Sequence, residues 1–270
     1  MKKLGLMVLV AGIVLMAGCA GDDPAGPSGT LANVTNLAID ESASAGQDIV
    51  LTWDAMDDID GYKIYFRTSS SGTWAEGGDV TTNTFTHTAS SAGEYAVKAY
   101  DGDNYSEGNS NIVDTYPVDD TTTYIIYDNY SPADKHSGFI FGTSPGGGQT
   151  GLASNTSFQQ DIYAWDLSKG DSDVWLLSGN YGTYGNGNPT YMQVPQQAGY
   201  CSEYPSGTWY GQDYILYTTD DRVFCYLYDG LYAKIYNLEI APDPDSNNGT
   251  MVSFSYEIQM LDGVTVFTDK

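Results

Sequence analysis

The chain has 270 residues, 41% of them hydrophobic, so it can bury two cores and is not wholly disordered. Its 35 Asp and Glu outnumber 10 Lys and Arg, giving a formal net charge of −25 that repels nucleic acid and excludes it as a partner. The abundance of Gly and Tyr, with 31 and 23 residues, is typical of secreted β-proteins and predicts an all-β fold.

The N-terminal segment has the residue order of a secretory signal peptide. A positive start precedes an apolar run from 4 to 16, which is too short to span a bilayer comfortably, and small residues then precede Cys19. The ending Leu-Met-Ala-Gly-Cys resembles the lipobox of bacterial lipoproteins, in which the signal is cut before a cysteine whose thiol is lipidated. The resemblance implies a signal peptide over 1–18 and a palmitate-type lipid anchor on Cys19. The alternative is an ordinary signal peptide with an incidental cysteine.

Residues 19–30 are rich in Pro and Gly and have no apolar period, which predicts a tether between the membrane and the first domain. In Gram-negative lipoproteins, an Asp after the lipidated cysteine commonly signals retention in the inner membrane. Ala20 stands at that position here. The resemblance therefore implies an exported lipoprotein of the outer membrane or the cell surface.

Residues 31–117 are predicted to form short strands at regular spacing, separated by turn signals. The predicted strands lie near 34–39 and at 49–53, 60–67, 84–87, 93–100 and 109–113. Strands at this spacing predict a β-sandwich.

Within this segment, four motifs resemble a fibronectin type III domain. They are Leu51-x-Trp53, Gly61-Tyr62-x-Ile64-Tyr65, Gly93-x-Tyr95-x-Val97-x-Ala99 and Ser106-Glu107. The resemblance implies that Trp53 is a core residue of the second strand and that Tyr95 forms a tyrosine corner. A buried phenol needs a partner for its hydroxyl, and we expect a backbone group to supply it. Modules of this family are most often spacers, and a fold does not by itself imply a function.

Residues 114–123 are polar and contain one Pro, which predicts a linker leading into a second domain over 118–270. Seventeen of the 23 tyrosines lie in that second part. Its apolar runs predict an antiparallel β-domain with a hairpin turn at Asp229-Gly230. The predicted strands are at 125–127, 138–142, 158–167, 174–178, 214–218, 222–228, 232–240 and 251–260.

The runs Val223–Tyr236 and Val252–Tyr256 resemble the C-terminal strands of HmuY-like lipoproteins, and Asp161–Leu177 is similar to a preceding part. Some members of that family capture haem, so the resemblance implies a haem-binding carrier as an alternative function. His136 is the only histidine in the second domain, so a bis-His site cannot be built there within one chain. A methionine or a tyrosine would have to ligate the iron, and we expect weak haem binding or none.

Catalytic and metal motifs are weak in this sequence. Gly142-Thr-Ser144-Pro145-Gly matches the pattern of a hydrolase nucleophile elbow, but Pro145 has no N–H for an oxyanion and no histidine follows the serine. The two histidines lie in different domains, which excludes a clustered zinc site. The acidic stretches 57–60 and 243–249 are interpreted as turns, because calcium needs six or more converging oxygens and the second stretch lacks the closing Glu of an EF-hand loop. The alternative is that either stretch binds calcium. We therefore expect no metal site and no enzyme.

Candidate ligand-binding residues are Tyr181, Tyr184 and Tyr191, which lie in or beside a low-complexity loop over 179–190. Exposed aromatic side chains give a rigid contact surface with a hydroxyl at little entropic cost. The alternative is that these tyrosines only cover β-surface, for which Tyr has a high propensity. The leading hypothesis is a surface- or periplasm-exposed lipoprotein acting as a non-catalytic binding or adhesion module. Its ligand could be a glycan, a protein or haem.

Cys201 and Cys225 remain as a pair once Cys19 carries lipid, and an oxidising compartment favours their pairing. A disulfide between them would close a loop of about 25 residues and stabilise the fold by roughly 3–4 kcal/mol. The alternative is two separate buried thiols that behave as small hydrophobic groups.

Overall fold

The computed structural model describes residues 31–166, 174–193, 199–201, 204, 211–216 and 221–269. The predicted signal peptide, Cys19 and the tether lie outside these residues. The described part is all-β, and none of it forms a helix long and apolar enough to cross a membrane. Its strands are β1 (Ala38–Ile39), β2 (Asp48–Thr52), β3 (Gly61–Arg67), β4 (Ala75–Val80), β5 (Thr84–Thr88), β6 (Glu94–Asp101), β7 (Asn104–Tyr105), β8 (Val113–Asp114), β9 (Val118–Tyr127), β10 (Gly138–Ile140), β11 (Gln149–Gly151), β12 (Ile162–Asp166), β13 (Val174–Ser178), β14 (Tyr191–Gln193), β15 (Asp213–Leu216), β16 (Arg222–Tyr226), β17 (Tyr232–Pro242) and β18 (Thr250–Gln259).

The first sandwich is built from β1 to β8. One sheet has the order β1-β2-β5, the other has the order β4-β3-β6-β7, and β8 also pairs with β6. Alternate residues of β2 and β6 point into the space between the sheets, where Ile49, Leu51 and Val97 are fully buried. The strand β4 was not expected from the sequence, because its residues Ala-Glu-Gly-Gly-Asp-Val carry no apolar alternation.

The two residues that the fibronectin type III resemblance singles out are both buried. The Trp53 ring packs edge-on against Tyr62 at 5.2 Å between centroids. Tyr95 is fully buried, but its hydroxyl lies 2.9 Å from Nδ1 of His87, so the expected backbone partner is wrong. Burial raises the pKa of Tyr95 and lowers the pKa of His87, which favours a neutral pair.

The second sandwich consists of two five-stranded antiparallel sheets. The first has the order β11-β10-β12-β13-β15 and the second has the order β14-β16-β17-β18-β9. Apolar side chains from both sheets, including Phe139, Leu176, Val223 and Phe254, fill the core between them. Most strands predicted for this domain are present at the predicted positions.

The predicted linker is partly wrong, because residues 118–123 belong to β9. This strand forms the edge of its sheet and pairs with β18, with Asp119 opposite Glu257. A β-ladder is made by backbone groups, so a polar run can join it where a long partner strand lies alongside. The connection between the two sandwiches is therefore limited to residues 115–117.

The C-terminal tail, residues 261–269, contacts both sandwiches. The Gly46 N–H donates to the carbonyl of Gly263, and the Thr265 N–H donates back to the carbonyl of Gly46, both at 2.8 Å. Val264 and Val266 are fully buried in the core of the first sandwich. Phe267 instead packs against Phe224, on the outer face of the second sandwich. The end of the chain thus joins the two sandwiches through alternating side chains.

An ion pair lies under this tail. The Lys234 Nζ is 2.9 Å from Glu257 Oε2, and both side chains are fully buried. Lys234 also donates to the carbonyl of Thr268 at 2.7 Å, and the Thr268 hydroxyl donates to Glu257. The tail therefore satisfies charged groups that would otherwise be costly to bury.

Candidate functional site

A groove lined by aromatic side chains lies on the outer face of the second sandwich. We refer to it as the aromatic groove. Its volume is about 190 Å³, and its described lining consists of Trp165, Trp175, Leu177, Tyr181, Gly182, Thr183 and Asp213.

The β-pleat explains why these side chains meet. Trp165 in β12 lies directly opposite Trp175 in β13, and Leu177 lies opposite Asp213 in β15. Directly opposed residues of an antiparallel pair share one face of the sheet, and neighbours along a strand alternate between faces. The intervening Leu176 therefore points into the core while both tryptophans remain half-buried on the outside. The sheet fixes the spacing of this aromatic floor.

The loop 179–190 forms one wall of the groove and is tied to the sheet. The Tyr163 hydroxyl, which is buried beneath the loop, donates to the carbonyl of Tyr181 at 2.7 Å. The Gln160 side chain donates to the carbonyl of Tyr184 at 2.9 Å, and the Tyr184 ring packs edge-on against Trp165. Tyr181 is thereby held at the rim with 43% of its surface exposed. A wall held in this way is organised before any ligand binds.

Gly182 is required at the turn of this loop. Its φ is +70°, which L side chains rarely adopt, and a Cβ placed there would lie 2.6 Å from the Tyr163 hydroxyl. A larger residue would push the wall off the hydroxyl that anchors it.

Asp161 is the charged group that supports the base of the loop. It is almost fully buried, and its carboxylate accepts a hydrogen bond from the Asn188 side chain and another from the Phe141 N–H, each at 2.9 Å. Burial raises the pKa of Asp161 to about 6 even though both hydrogen bonds oppose the shift. The position of the loop is therefore coupled to a group that titrates in mildly acidic solution.

The groove offers flat apolar surface together with hydrogen-bonding groups. The tryptophan rings supply apolar contact area, and the Asp213 carboxylate accepts hydrogen bonds only. The Thr183 and Tyr181 hydroxyls can both donate and accept. Such a surface suits a ligand with an apolar face and hydroxyl or amide donors at its edge.

The structure divides the three tyrosines predicted to bind a ligand. Tyr181 lies in the wall of the aromatic groove, and Tyr184 supports that wall from behind. Tyr191 lies in β14 of the opposite sheet, where its ring stacks on Tyr204 at 4.6 Å. Tyr204 in turn stacks on Tyr226 at 4.7 Å, so a ring of the protein itself already covers Tyr191. Tyr191 does not belong to the groove.

The floor of the groove is not predicted from the sequence. Trp165 and Trp175 fall within predicted strands, and no sequence feature marks Asp213 as part of a site. A usable signal was present, because the two tryptophans are equidistant from Gly170, which lies between the predicted strands 158–167 and 174–178. Residues equidistant from a hairpin turn become cross-strand partners. Asp213 had no such signal, since β15 joins this sheet from a distant part of the chain.

The predicted disulfide between Cys201 and Cys225 is absent from the structure, where both are buried free thiols. Cys225 points into the core of the second sandwich, whereas Cys201 packs with Phe224 on the outer face of the same sheet. Since Phe224 and Cys225 are neighbours in β16, the sheet separates the two sulfur atoms. Burial raises the pKa of both thiols, which makes them unreactive.

No group of three or more His, Cys, Asp or Glu side chains is placed to hold a metal ion within the described residues. Ser144 lies in a turn closed by a 2.9 Å hydrogen bond from the Gly147 N–H to its carbonyl. In the acidic loop 243–249, Asp245 forms a 2.6 Å ion pair with Lys135, and the Asp243 carboxylate accepts the Asp245 N–H. These contacts are those of closed turns.

No protein-family model and no curated protein matches this chain. Among solved structures, titin kinase and its flanking domains aligns with a TM-score of 0.27 and 12% sequence identity. The alignment covers 87% of this chain, which spans 38% of the length of that one. At this level of similarity, no feature of titin kinase carries over to this chain.

Proposed function

We propose that the protein is a lipid-anchored, non-catalytic binding module of the outer membrane or cell surface. In this proposal the lipid on Cys19 holds the chain at the membrane and the first sandwich acts as a spacer. The second sandwich then presents the aromatic groove to a ligand. The observation that supports the proposal best is the groove itself, a half-exposed aromatic floor on a rigid sheet beside a pinned loop.

The junction of the two sandwiches fits this arrangement. The short connection over 115–117 acts together with the backbone hydrogen bonds between Gly46 and the tail. A spacer joined in this way holds the groove at a fixed position relative to the first sandwich.

The chemistry of the groove favours binding over catalysis. Among its described lining residues, Asp213 is the one carboxylate, and no histidine, cysteine or lysine accompanies it. Hydrolysis of a glycosidic bond in most families uses two carboxyl groups that face each other across the bond. Ser144 lies in a turn closed by the Gly147 N–H and is followed by Pro145, which has no N–H to stabilise an oxyanion.

The alternative function, a haem carrier, receives less support from the site. The exposed His136 contacts the Thr150 hydroxyl at 2.9 Å and does not line the groove. Among the described lining residues, the Tyr181 phenol is the one side chain that commonly ligates haem iron. The negatively charged propionates of haem would also be repelled by a protein with a formal net charge of −25.

The anchor can be tested with Cys19→Ala. The wild-type protein should enter the detergent phase on phase separation, because buried acyl chains contribute about 0.8 kcal/mol per CH₂ to membrane binding. The Cys19→Ala protein should remain in the aqueous phase. A variant that stays in the detergent phase while export is intact would show that the lipoprotein assignment is wrong.

The binding role can be tested on cells that display the full-length protein. Adhesion would be scored on immobilised glycans, immobilised proteins and haem-agarose, comparing wild type with Trp175→Ala. Tyr228→Ala is the matched control, since Tyr228 is 61% exposed on a hairpin outside the groove. We expect Trp175→Ala to abolish adhesion to one surface and Tyr228→Ala to leave it intact. Equal adhesion by all three proteins on every surface would refute the proposal.

A further inference from the structure

We infer that the aromatic groove binds a neutral polysaccharide, one sugar ring at a time. This inference rests on the proposed binding function and specifies the chemical class of the ligand. It follows from the surface chemistry of the groove, its charge and its size.

The surface chemistry matches a pyranose ring. One face of such a ring carries C–H groups, and its edge carries hydroxyl groups. Trp165 and Trp175 offer adjacent ring surfaces for the C–H face, and Asp213 lies beside them as an acceptor for hydroxyl donors. A hydrogen bond from a hydroxyl to a carboxylate is about twice as strong as one between neutral groups. An aliphatic ligand would leave Asp213 without a partner.

The charge of the site selects a neutral sugar. The groove contains Asp213 and no described lysine or arginine, and the whole chain carries a net charge of −25. Uronate, sulfate or phosphate groups would be repelled at this position and would find no cation among the described lining residues. Asp213 therefore repels acidic glycans by its charge and also accepts hydrogen bonds from neutral ones.

The size of the groove accommodates one residue of a chain. Its volume of about 190 Å³ is below the roughly 300–1,000 Å³ of sites that enclose a drug-sized molecule. A single ring can lie on the floor while the polymer continues along the open surface on either side. The pinned Tyr181 limits how a chain can cross the sheet.

The test is native affinity electrophoresis of the full-length protein in neutral detergent. The gels would contain a neutral β-glucan, galactomannan or xylan, or one of the acidic polymers alginate and polygalacturonate. We expect at least one neutral polymer, and neither acidic one, to retard the wild-type protein. Trp175→Ala should weaken the binding at least tenfold, and Tyr181→Ala, which alters an exposed rim residue, should weaken it several-fold. Tyr228→Ala should migrate as the wild type does.

Asp213→Asn gives a second readout that loss of folding cannot mimic. It removes the charge but keeps an acceptor, so the variant should retain part of the binding to the neutral polymer and gain measurable retardation by an acidic one.

The glycan inference is overturned if no neutral polymer retards the wild type, or if Trp175→Ala and Tyr228→Ala reduce retardation equally. A groove-dependent adhesion to immobilised protein, without retardation by any polysaccharide, would remove this inference and leave the binding function standing. Loss of both kinds of binding would remove both.

Discussion

Because the C-terminal tail packs into the first sandwich, we predict that Val266, near the end of the chain, stabilises the domain at its beginning. Val266 has no exposed surface and packs in the core of the first sandwich. Truncation to alanine deletes two methyl groups, which lose about 0.8 kcal/mol each, and leaves a cavity in addition. We therefore expect Val266→Ala to destabilise the first sandwich by about 2–3 kcal/mol. At 1.4 kcal/mol per factor of ten, this should speed native-state amide exchange in β2 and β6 about 30- to 150-fold.

The matched control for this experiment is Val252→Ala. Val252 is equally buried but packs in the core of the second sandwich. It should speed exchange in β16–β18 and have a smaller effect on β2 and β6. If Val266→Ala leaves exchange in β2 and β6 unchanged, or changes it no more than Val252→Ala does, the tail does not complete the first core in solution.

Three further predictions concern buried polar groups. The pKa of Asp161 is raised from 3.8 to about 6, so the folded protein binds this proton more tightly than the unfolded chain does. The stabilisation from the protonated carboxyl is therefore full below pH 3.8 and falls by about 3 kcal/mol as the pH rises through 6. Urea midpoints measured from pH 4 to 7.5 should show this decrease, and Asp161→Asn should flatten it. Cys201 and Cys225 should both be alkylated once the chain is unfolded without reductant, and neither should be alkylated in the folded protein. If both stay unmodified in the unfolded, unreduced chain, they form a disulfide and the free-thiol assignment is wrong. Lys234→Met should lower the free energy of unfolding by about 3–5 kcal/mol, because it leaves Glu257 buried without the lysine of its ion pair. Adding Glu257→Leu should recover part of that loss in denaturant unfolding. An equal or larger loss in the double variant would contradict this prediction.

The sequence was informative wherever a structural rule acts over a few residues. Alternation of apolar and polar side chains located β2, β3, β6 and most strands of the second sandwich, because the period of a pleat is local. Trp53, which the fibronectin type III resemblance placed in the core, is buried there. The strands that were missed, among them β4, β11 and β14, are short or polar and exist because a neighbouring strand pairs with them.

Contacts between distant parts of the chain were not predictable in this way. Tyr95 was expected to need a hydroxyl partner, but no local pattern shows that His87 reaches it from a different sheet. The cysteine prediction used compartment and loop length, which do not show the face of the sheet that each sulfur occupies. Likewise, Val264-Thr265-Val266-Phe267 has the alternation of a strand. That its valines enter one sandwich and its phenylalanine the other depends on where β18 ends.

The second sandwich carries the aromatic groove on one sheet and its contacts with the C-terminal tail on the other. The groove lies on the outer face of the β11-β10-β12-β13-β15 sheet, whereas the tail and its ion pair contact the sheet that contains β17 and β18. The shared core lies between them, so a ligand can contact Trp165 and Trp175 without disturbing the junction. If a bound polymer is pulled while Cys19 is held in a membrane, the load passes through this core to the tail and to residues 115–117 together. The hydrogen bonds between Gly46 and the tail then share a force that a single linker would otherwise carry alone. On this basis, Val266→Ala, which weakens the packing of the tail in the first sandwich, should reduce adhesion under flow more than it reduces binding at rest, and equal losses in the two assays would show that the tail has no mechanical role.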